Sequence, residues 1–591
     1  MLTLFVFGVL WATAICQGRS LPFWHQSVLV SPDLQTPGTR DLELGELNFL
    51  HTTDTHGWLG SHLNQANYDA DWGDFVSFTS NFKHNRVGTS RDLILIDTGD
   101  KHDGNGLSDA TATNGQLSTE IFNEQDYDLL TLGNHELYTE ENTVLEYYST
   151  ATSKKFRDAY VSSNVDFVTE DGRLVPFGSK FCYFKTPNRN IRILAFSFMF
   201  NFQRANARAK VTLATTALQQ EWFQKAVSQY PEGEIDVIVI FGHMPITDPE
   251  EHEINQVHSI FRKHYPRTII QYFGAHSHVR DFAVFDELST GIQSGRFAET
   301  VGFLSIDNIK SDTPKFSRRY IDFNKNQFSH HSGSSTLTEK GVKLSHKISR
   351  IRQELNLNDV VGYVPSSYHM YSKPLSSKHN IYNLLTSKVL PNLKSDRTDE
   401  SKSRFTIINT GSIRYDLYKG NFTKDTEYIV SPFPNNWTYV EVPLSLAEGV
   451  ADYLNDGPVL YTSMAPPEVR RKKHYPGSCP FIHDPHLRKG YTTSDDFGCD
   501  GDDVIHNSEL VFRIPNVVQS VELKRVGPED RVHLIFYSFI QKDVLRALND
   551  LSKNLPTHVE YTDAHCQNYG GDSTKDLLKQ YVRDQQLQSH K

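Results

Sequence analysis

Long hydrophobic runs are missing from the chain after its first residues. The apolar stretch at 2–15 is too short for a membrane-spanning helix, which needs about 20 apolar residues. Small residues at Ala14-Ile15-Cys16 favour cleavage, so we predict a signal peptide at 1–18, with a buried N-terminal helix as the alternative. We expect a soluble protein of the secretory pathway. Two glycosylation sequons, at Asn421 and Asn436, are compatible with that route.

The chain also has no excess of positive charge, and its formal net charge is −11. This balance argues against a generally basic surface, so nucleic acids and anionic membranes are not expected partners. A local cationic pocket for a small phosphorylated substrate is still compatible with it.

Cysteine is scarce, with five residues, one of which lies in the predicted signal peptide. The others are Cys182, Cys479, Cys499 and Cys566. An even count in an oxidising compartment permits two disulfides. Cys479 and Cys499 bracket a loop rich in Gly and Asp and form the natural pair, which by elimination leaves Cys182 with Cys566.

The length of 591 residues predicts more than one domain, because single cores stop growing at about 250–300 residues. Strand-like and helix-like segments alternate at 45–325, which predicts an α/β domain with a mostly parallel or mixed sheet. A helix rich in Lys, Glu and Arg follows at 336–357 and is interpreted as a linker. The pattern restarts at 358–585, with predicted strands at 405–409, 428–431 and 439–442 and predicted helices at 445–454 and 542–553.

Five short stretches share one pattern, in which an apolar run of strand length is followed by a cluster of metal-ligand residue types. The clusters are Asp54-Thr55-His56, Asp97-Thr98-Gly99-Asp100, Gly133-Asn134-His135-Glu136, Gly242-His243-Met244-Pro245 and Gly274-Ala275-His276-Ser277-His278. Such runs are typical of buried strands in parallel sheets. Ligands in open α/β sheets bind outside the carboxyl ends of strands. Five strand ends could therefore bring Asp, Asn and His side chains to one place.

These residue types can bind divalent ions, Asp and His when deprotonated and Asn through its carbonyl oxygen. Alternate residues of a strand point the same way, which pairs Asp54 with His56 and His276 with His278. The carboxylate of Asp100 is the central candidate for bridging two ions.

Two divalent ions about 3.5–4 Å apart can hold a phosphoryl group and activate a water for in-line attack. His135 lies next to the ligand candidate Asn134 and is suited to protonate the leaving oxygen as general acid. The pattern therefore predicts hydrolysis of phosphoric esters. Oxygen and imidazole ligands admit zinc, manganese, iron or cobalt.

The five clusters in this order resemble the calcineurin-like metallophosphoesterases, whose pattern is D-x-H, G-D, G-N-H-[DE], G-H and G-H-x-H. The resemblance covers about residues 45–305, with one residue inserted after Gly274 in the last cluster. It implies an α/β (α+β) fold whose N-terminal domain is a four-layer α/β/β/α sandwich. It also implies that Asp54, His56, Asp100 and His278 hold one metal ion, and that Asp100, Asn134, His243 and His276 hold a second.

A second resemblance lies downstream, in Asn409-Thr410-Gly411-Ser412-Ile413-Arg414 followed by Ser431-Pro432-Phe433. These segments are similar to N-G-G-G-I-R and L-P-F-G of the 5′-nucleotidase C-terminal domain. The family's Asn and Arg help to hold the substrate and its Phe stacks on the base, which implies these roles for Asn409, Arg414 and Phe433. An Arg offers a fork of donors to anions, and an aromatic face suits a nucleobase. The family's second stacking aromatic lies near a G-G-D-G-F segment, and this chain has two separate candidates for a counterpart, Phe539 and Gly570-Gly571-Asp572.

The catalytic pair departs from the 5′-nucleotidase pattern G-N-H-E-F-D, whose Asp orients the His. Tyr138 stands at that Asp position. Asp103 lies three residues after Asp100, the G-D-x-x-D spacing at which Ser/Thr phosphatases of the superfamily carry their His-supporting Asp. We therefore predict that Asp103 orients His135, and the alternative is that Asp103 only caps the helix or turn that follows.

The chain as a whole resembles a 5′-nucleotidase-like hydrolase of the fungal secreted or vacuolar type. The predicted activity is dinuclear-metal-dependent release of phosphate from nucleoside monophosphates or similar small phosphates. One alternative keeps the metal centre and changes the substrate to a cyclic nucleotide or a nucleotide sugar. A second alternative is a non-catalytic secreted binding protein with the same fold.

Overall fold

The computed structural model describes residues 39–248, 252–395, 397–398, 401–457, 501–504, 512–524, 527, 530–553 and 559–589. The predicted signal peptide and the predicted pair of Cys479 with Cys499 lie outside these residues. No helix in the described ranges combines the length and the apolar character needed to cross a membrane.

Strands of the described residues make up two large sheets and one small sheet in the first half of the chain, and one large and one small sheet in the second half. In the described residues they are β1 (Leu47–Thr52), β2 (Asp92–Asp97), β3 (Leu129–Leu130), β4 (Val165–Val168), β5 (Leu174–Pro176), β6 (Cys182–Lys185), β7 (Arg192–Ser197), β8 (Ala209–Val211), β9 (Val237–Phe241), β10 (Ile269–Gly274), β11 (Arg280–Asp286), β12 (Ser289–Ser294), β13 (Thr300–Asp307), β14 (Lys315–Asp322), β15 (Val360–Val364), β16 (Arg404–Asn409), β17 (Gly420–Thr423), β18 (Trp437–Pro443), β19 (Val517–Glu522), β20 (Arg531–Tyr537) and β21 (Gln567–Asn568).

Helices connect and cover these strands. In the described residues they are α1 (Trp72–Phe82), α2 (Gly106–Asp109), α3 (Ser118–Phe122), α4 (Glu140–Glu146), α5 (Ala214–Ala217), α6 (Glu221–Gln229), α7 (Glu253–His264), α8 (Lys325–Ser332), α9 (Glu339–Glu354), α10 (Ile381–Leu384), α11 (Lys424–Val430), α12 (Leu444–Asp456), α13 (Gln541–Ser552) and α14 (Thr574–Ser589).

The two large sheets of the first half are both mixed, as predicted. In the described residues one has the order β14-β13-β1-β2-β3, and the other has the order β11-β12-β10-β9-β7-β6. Strands β1, β2 and β3 run parallel, and so do β7, β9, β10 and β12. The carboxyl ends of the parallel strands therefore meet at one edge of each sheet.

Strand β2 shows how the two sheets pack. Its side chains alternate between faces, so that Leu93 and Leu95 contact a core under the outer helices, whereas Ile94 and Ile96 contact a core between the sheets that also contains Val239 of β9. A strand buried on both faces has no polar side, which explains the continuous apolar run.

Helices cover the outer faces of both sheets. Phe78 of α1 and Ile348 of α9 share a core with Leu95 of β2. On the opposite side, Phe223 of α6 shares a core with Ile240 of β9. The first half is therefore the four-layer α/β/β/α sandwich that the resemblance implied. Helix α9, within the predicted linker range, packs along α1.

The second half has its own sheet, of order β19-β16-β20-β18-β21 in the described residues, and its own apolar core. The predicted strand at 428–431 is wrong, because these residues belong to the end of α11. Thr423 starts that helix, since its side chain accepts from the backbone N–H of Thr426 and the Thr426 side chain accepts from the Thr423 N–H. The apolar run in this segment, Tyr428–Val430, is too short to distinguish helix from strand.

The predicted disulfide between Cys182 and Cys566 is also wrong, because both thiols are free. Cys182 packs against the core between the two sheets, and Cys566 packs against the core of the second half. An even number of cysteines permits pairing but does not bring two side chains within bonding distance.

Candidate metal centre and substrate cavity

The predicted ligands meet at the carboxyl ends of strands from both sheets. Asp54 and His56 follow β1, Asp100 follows β2, Asn134 and His135 follow β3, His243 follows β9, and His276 and His278 follow β10. All are buried except His276, which is half-buried. The sequence places each of them by the same rule, a buried strand that ends at a polar turn.

Their ligand atoms form two groups that share Asp100. Asp54, His56, Asp100 and His278 make one group, and Asp100, His243 and His276 make the other, with the atoms of each group within 4.8 Å of one another. The Nε2 atom of His243 lies 3.0 Å from Oδ2 of Asp100, and that of His278 lies 3.3 Å from Oδ1 of Asp54. The two groups coincide with the Asp and His residues of the two ligand sets that the resemblance implied.

Three buried atoms at this place have no hydrogen-bond partner within the described part of the chain. They are Oδ2 of Asp100, Oδ1 of Asn134 and Nε2 of His243. Burying such polar atoms without a partner is costly. Each is an atom that binds divalent cations, so a metal ion would satisfy all three. The residues present therefore fit a divalent metal centre.

Backbone carbonyls fix the orientation of two of the histidines. His56 donates from Nδ1 to the carbonyl oxygen of His102 at 2.7 Å, and His243 donates from Nδ1 to that of Thr98 at 2.8 Å. A ring that donates from Nδ1 keeps Nε2 as an acceptor for a metal. The Thr98 hydroxyl is itself hydrogen-bonded to His51, at 2.9 Å.

Burial and mutual charge shift the pKa values of these ligands. Burial raises the pKa of Asp54 to about 7, because a carboxylate is poorly solvated there. Burial disfavours the charged form of His243, but the carboxylates of Asp100 and Asp54 outweigh it and raise its pKa to about 10. Burial lowers the pKa of His276 to about 3. The carboxylates thus require positive charge beside them, which a divalent ion would supply.

Backbone strain is concentrated at the same residues. Six of them have positive φ angles, namely Asp54 (48°), His56 (46°), Asp100 (60°), Asp103 (70°), His276 (75°) and His278 (59°). Each non-glycine residue in this region costs about 1–3 kcal/mol, and such residues cluster at functional sites. Gly133 permits the close approach of two turns, because a Cβ there would lie 2.1 Å from Oδ1 of Asp100.

His135 is held by Asp103. Its Nδ1 lies 2.7 Å from Oδ2 of Asp103, whose Oδ1 accepts from the Asn114 amide and lies 3.1 Å from Nδ1 of His102. Asp103 does not cap the helix that follows, because Asn105 caps α2. Tyr138 stands at the position of the family's His-orienting Asp, but its hydroxyl accepts a hydrogen bond from the Asn134 amide at 3.2 Å.

A cavity of about 400 Å³ lies beside these residues. Its lining includes Asp100, Asn134 and His135 of the first half. From the second half it includes all three predicted substrate residues, Asn409, Arg414 and Phe433, together with Phe539. Phe539 comes just after β20 and Asn409 is the last residue of β16, so the rule that places ligands at strand ends, applied to the second half, could have singled out Phe539. The other candidate counterpart of the family's second stacking segment, Gly570-Gly571-Asp572, does not line this cavity.

Arg414 lies between the metal ligands and the aromatic part of the cavity. Its Nη2 is 3.3 Å from Nε2 of His56, and its guanidinium carbon is 5.7 Å from the centre of the Phe433 ring. The ring of Phe433 stacks 6.2 Å from that of His135. The cavity therefore combines a cation beside the ligand cluster with aromatic surface further out.

The first half has two mixed sheets between helices, with candidate Asp, Asn and His ligands at the strand ends. This combination is typical of a metallophosphoesterase. Residues of a second domain also line the site. Residues 47–280 match the model of the calcineurin-like phosphoesterase family, and residues 367–545 match that of the NAD nucleotidase C-terminal domain.

Three relatives match nearly the whole chain. The chain is 53% identical to an uncharacterized protein of Saccharomyces cerevisiae, over 95% of this chain and 96% of that one. It is 38% identical to a protein of Arthroderma benhamiae named "Secreted protein", over 92% and 90% of the two chains. The crystal structure of 5′-nucleotidase from Candida albicans is 44% identical, with a TM-score of 0.84 over 93% of this chain and 99% of that one. The chain belongs to the 5′-nucleotidase family of calcineurin-like metallophosphoesterases.

Proposed function

We propose that this protein is a dinuclear-metal-dependent phosphomonoesterase that releases phosphate from nucleoside monophosphates. The observation that carries this proposal is a cavity that is lined both by residues of the ligand cluster and by Asn409, Arg414 and Phe433. Its volume falls within the range of small-molecule sites, about 300–1,000 Å³. The name of the Arthroderma benhamiae relative supports action outside the cell or in the secretory pathway.

The substrate would lie along the cavity with its phosphate at the ligand cluster and its base among the aromatic rings. The Arg414 guanidinium next to His56 suits a phosphate oxygen, because Arg forms paired charge-assisted hydrogen bonds with such groups. Phe433 and Phe539 offer aromatic faces on which any nucleobase can stack. The side-chain oxygen of Asn409, buried and without a hydrogen-bond partner in the described residues, can accept from a ribose hydroxyl.

The metal ions would be held by the two sets described above, Asp54, His56, Asp100 and His278 for one ion and Asp100, Asn134, His243 and His276 for the other. Bound there, divalent zinc, manganese, iron or cobalt supplies positive charge for the phosphoryl group and makes water nucleophilic. His135 gives a proton from Nε2 to the leaving oxygen. Asp103 keeps the other proton on Nδ1, so that Nε2 faces the cavity.

A substrate panel tests the proposed function. Metal-reconstituted protein should release phosphate from nucleoside monophosphates faster than from a cyclic nucleotide, a nucleotide sugar or an aryl phosphate. Phe433→Ala should raise KM for the nucleotides roughly tenfold, because stacking on an aromatic ring is worth about 1–3 kcal/mol per base. Tyr148→Ala, an exposed aromatic residue outside the cavity, is the matched control. Turnover of only the aryl phosphate or only the cyclic nucleotide would contradict the proposal.

Asp103→Asn tests the support of His135. We expect kcat for a nucleoside monophosphate to fall roughly 100-fold, at the lower end of acid–base contributions, because the amide no longer fixes the tautomer of the ring. Metal content, measured by mass spectrometry of the purified variant, should stay at the wild-type level. A variant with a nearly wild-type rate would show that Asp103 does not act through His135.

A further inference from the structure

Phe539 reaches the cavity from a short turn of the second half of the chain. The turn spans Ser538–Ile540, between β20 and α13, and Phe539 itself is 37% exposed. Two residues of the first half, Arg204 and Tyr138, contact its backbone and its ring.

Arg204 supplies these contacts from the first half of the chain. Its Nη1 donates to the carbonyl oxygen of Phe539 at 2.8 Å, and its Nη2 donates to Oδ2 of Asp543 at 3.1 Å. Its guanidinium carbon also lies 4.5 Å from the centre of the Phe539 ring. One planar side chain thus holds the backbone of the turn, the first turn of α13 and the ring face, a combination that suits Arg and not Lys.

Neighbouring aromatic residues of the first half complete this contact. The ring of Tyr138 lies 6.3 Å from that of Phe539 and 5.3 Å from that of Phe202, two residues before Arg204. Tyr138 and Phe539 both line the cavity, whereas Arg204 does not. Arg204 therefore reaches the cavity through the residues that it contacts.

We propose that Arg204 is a positioning residue that fixes Phe539 in the cavity and so sets the preference for substrates that carry a nucleobase. This inference rests on the proposed function. It also makes base binding depend on contact between the two halves of the chain, because Phe539 belongs to the second half and Arg204, which holds it, belongs to the first. Without Arg204, the substrate would have to order the ring itself, at the expense of affinity.

Arg204→Ala tests the inference through a split between two substrates. KM for a nucleoside monophosphate should rise roughly fivefold to tenfold, as expected for loss of a cation–ring contact and of preorganisation. KM for an aryl phosphate, which offers no base to Phe539, should change far less. Arg208→Ala is the matched control, because its guanidinium lies 5.0 Å from the Phe167 ring and its Nε donates to the Val168 carbonyl at 2.7 Å, away from the cavity.

A double-mutant cycle separates positioning from a general structural effect. In a Phe539→Ala background, Arg204→Ala should no longer alter KM for the nucleotide, because the ring that it holds is gone. Equal losses for the nucleotide and the aryl phosphate, additive effects in the cycle, or an unchanged Arg204→Ala variant would each overturn the inference. A wild-type protein that hydrolyses the aryl phosphate but no nucleotide would instead refute the proposed function, and this inference with it.

Discussion

Replacing Asp100 with Ala is expected to reduce phosphate release by at least about 1,000-fold, because metal ions contribute several kcal/mol and each 1.36 kcal/mol is a factor of ten. Asp100 belongs to both ligand groups, and its Oδ2 lies 3.0 Å from His243 and 3.7 Å from His56. Loss of this carboxylate removes a ligand from both sets at once. The bound metal per chain, measured by mass spectrometry, should therefore fall together with kcat.

The control for this variant is Asp171→Ala, at an exposed turn paired with Arg173 far from the ligand cluster. It should keep both metal content and rate. Circular dichroism should show that Asp100→Ala is folded, since the substitution removes a buried carboxylate rather than an apolar contact. Full metal content in the Asp100→Ala variant would mean that Asp100 does not bridge the two groups.

Replacing His135 with Ala is expected to lower kcat for nucleoside monophosphates by about 100-fold to 10,000-fold, the usual contribution of a general acid. The imidazole is held at Nδ1 by Asp103, and its Nε2 lies 3.9 Å from Oδ2 of Asp100, on the cavity side. An alkoxide is a poor leaving group and needs that proton. The steady-state rate on a nucleotide measures the loss, with His330→Ala, an exposed histidine, as control.

A second substrate makes the role of His135 specific. A nitrophenyl phosphate has a leaving group that departs without a proton, so the same variant should lose much less activity on it. Metal content should be unchanged, because His135 is in neither ligand group. Equal losses on both substrates would indicate that His135 acts on binding or on the fold and not as the acid.

The ligand side of the cavity could be predicted because each candidate follows an apolar run directly. The edge of parallel strands then brings such positions together, whatever the distance between them in the chain. Asp54, Asp100 and His243 needed no more than this rule. Asp103 needed one further local relation, its spacing of three residues from Asp100, which the turn after β2 converts into a contact of 2.7 Å with His135.

The part of the cavity that the second half lines was harder to predict because its contacts join distant segments. Arg204 and Phe539 are 335 residues apart in sequence, and no periodicity relates them.

The strand predicted at 428–431 was wrong because the apolar run that begins at Tyr428 is too short to show the 3.6-residue period of a helix. The pairing of Cys182 with Cys566 was wrong because parity carries no information on distance.

The positive φ angles of the six cluster residues have a consequence for the evolution of the protein in the laboratory. Five of the six are ligand candidates, and at their positions glycine is less strained than the residue present, so a screen for thermal tolerance alone would favour variants that discard ligands. A screen for turnover would reject the same variants. Stability and activity therefore compete at these positions, and a thermostable descendant should gain its stability elsewhere, such as in exposed loops.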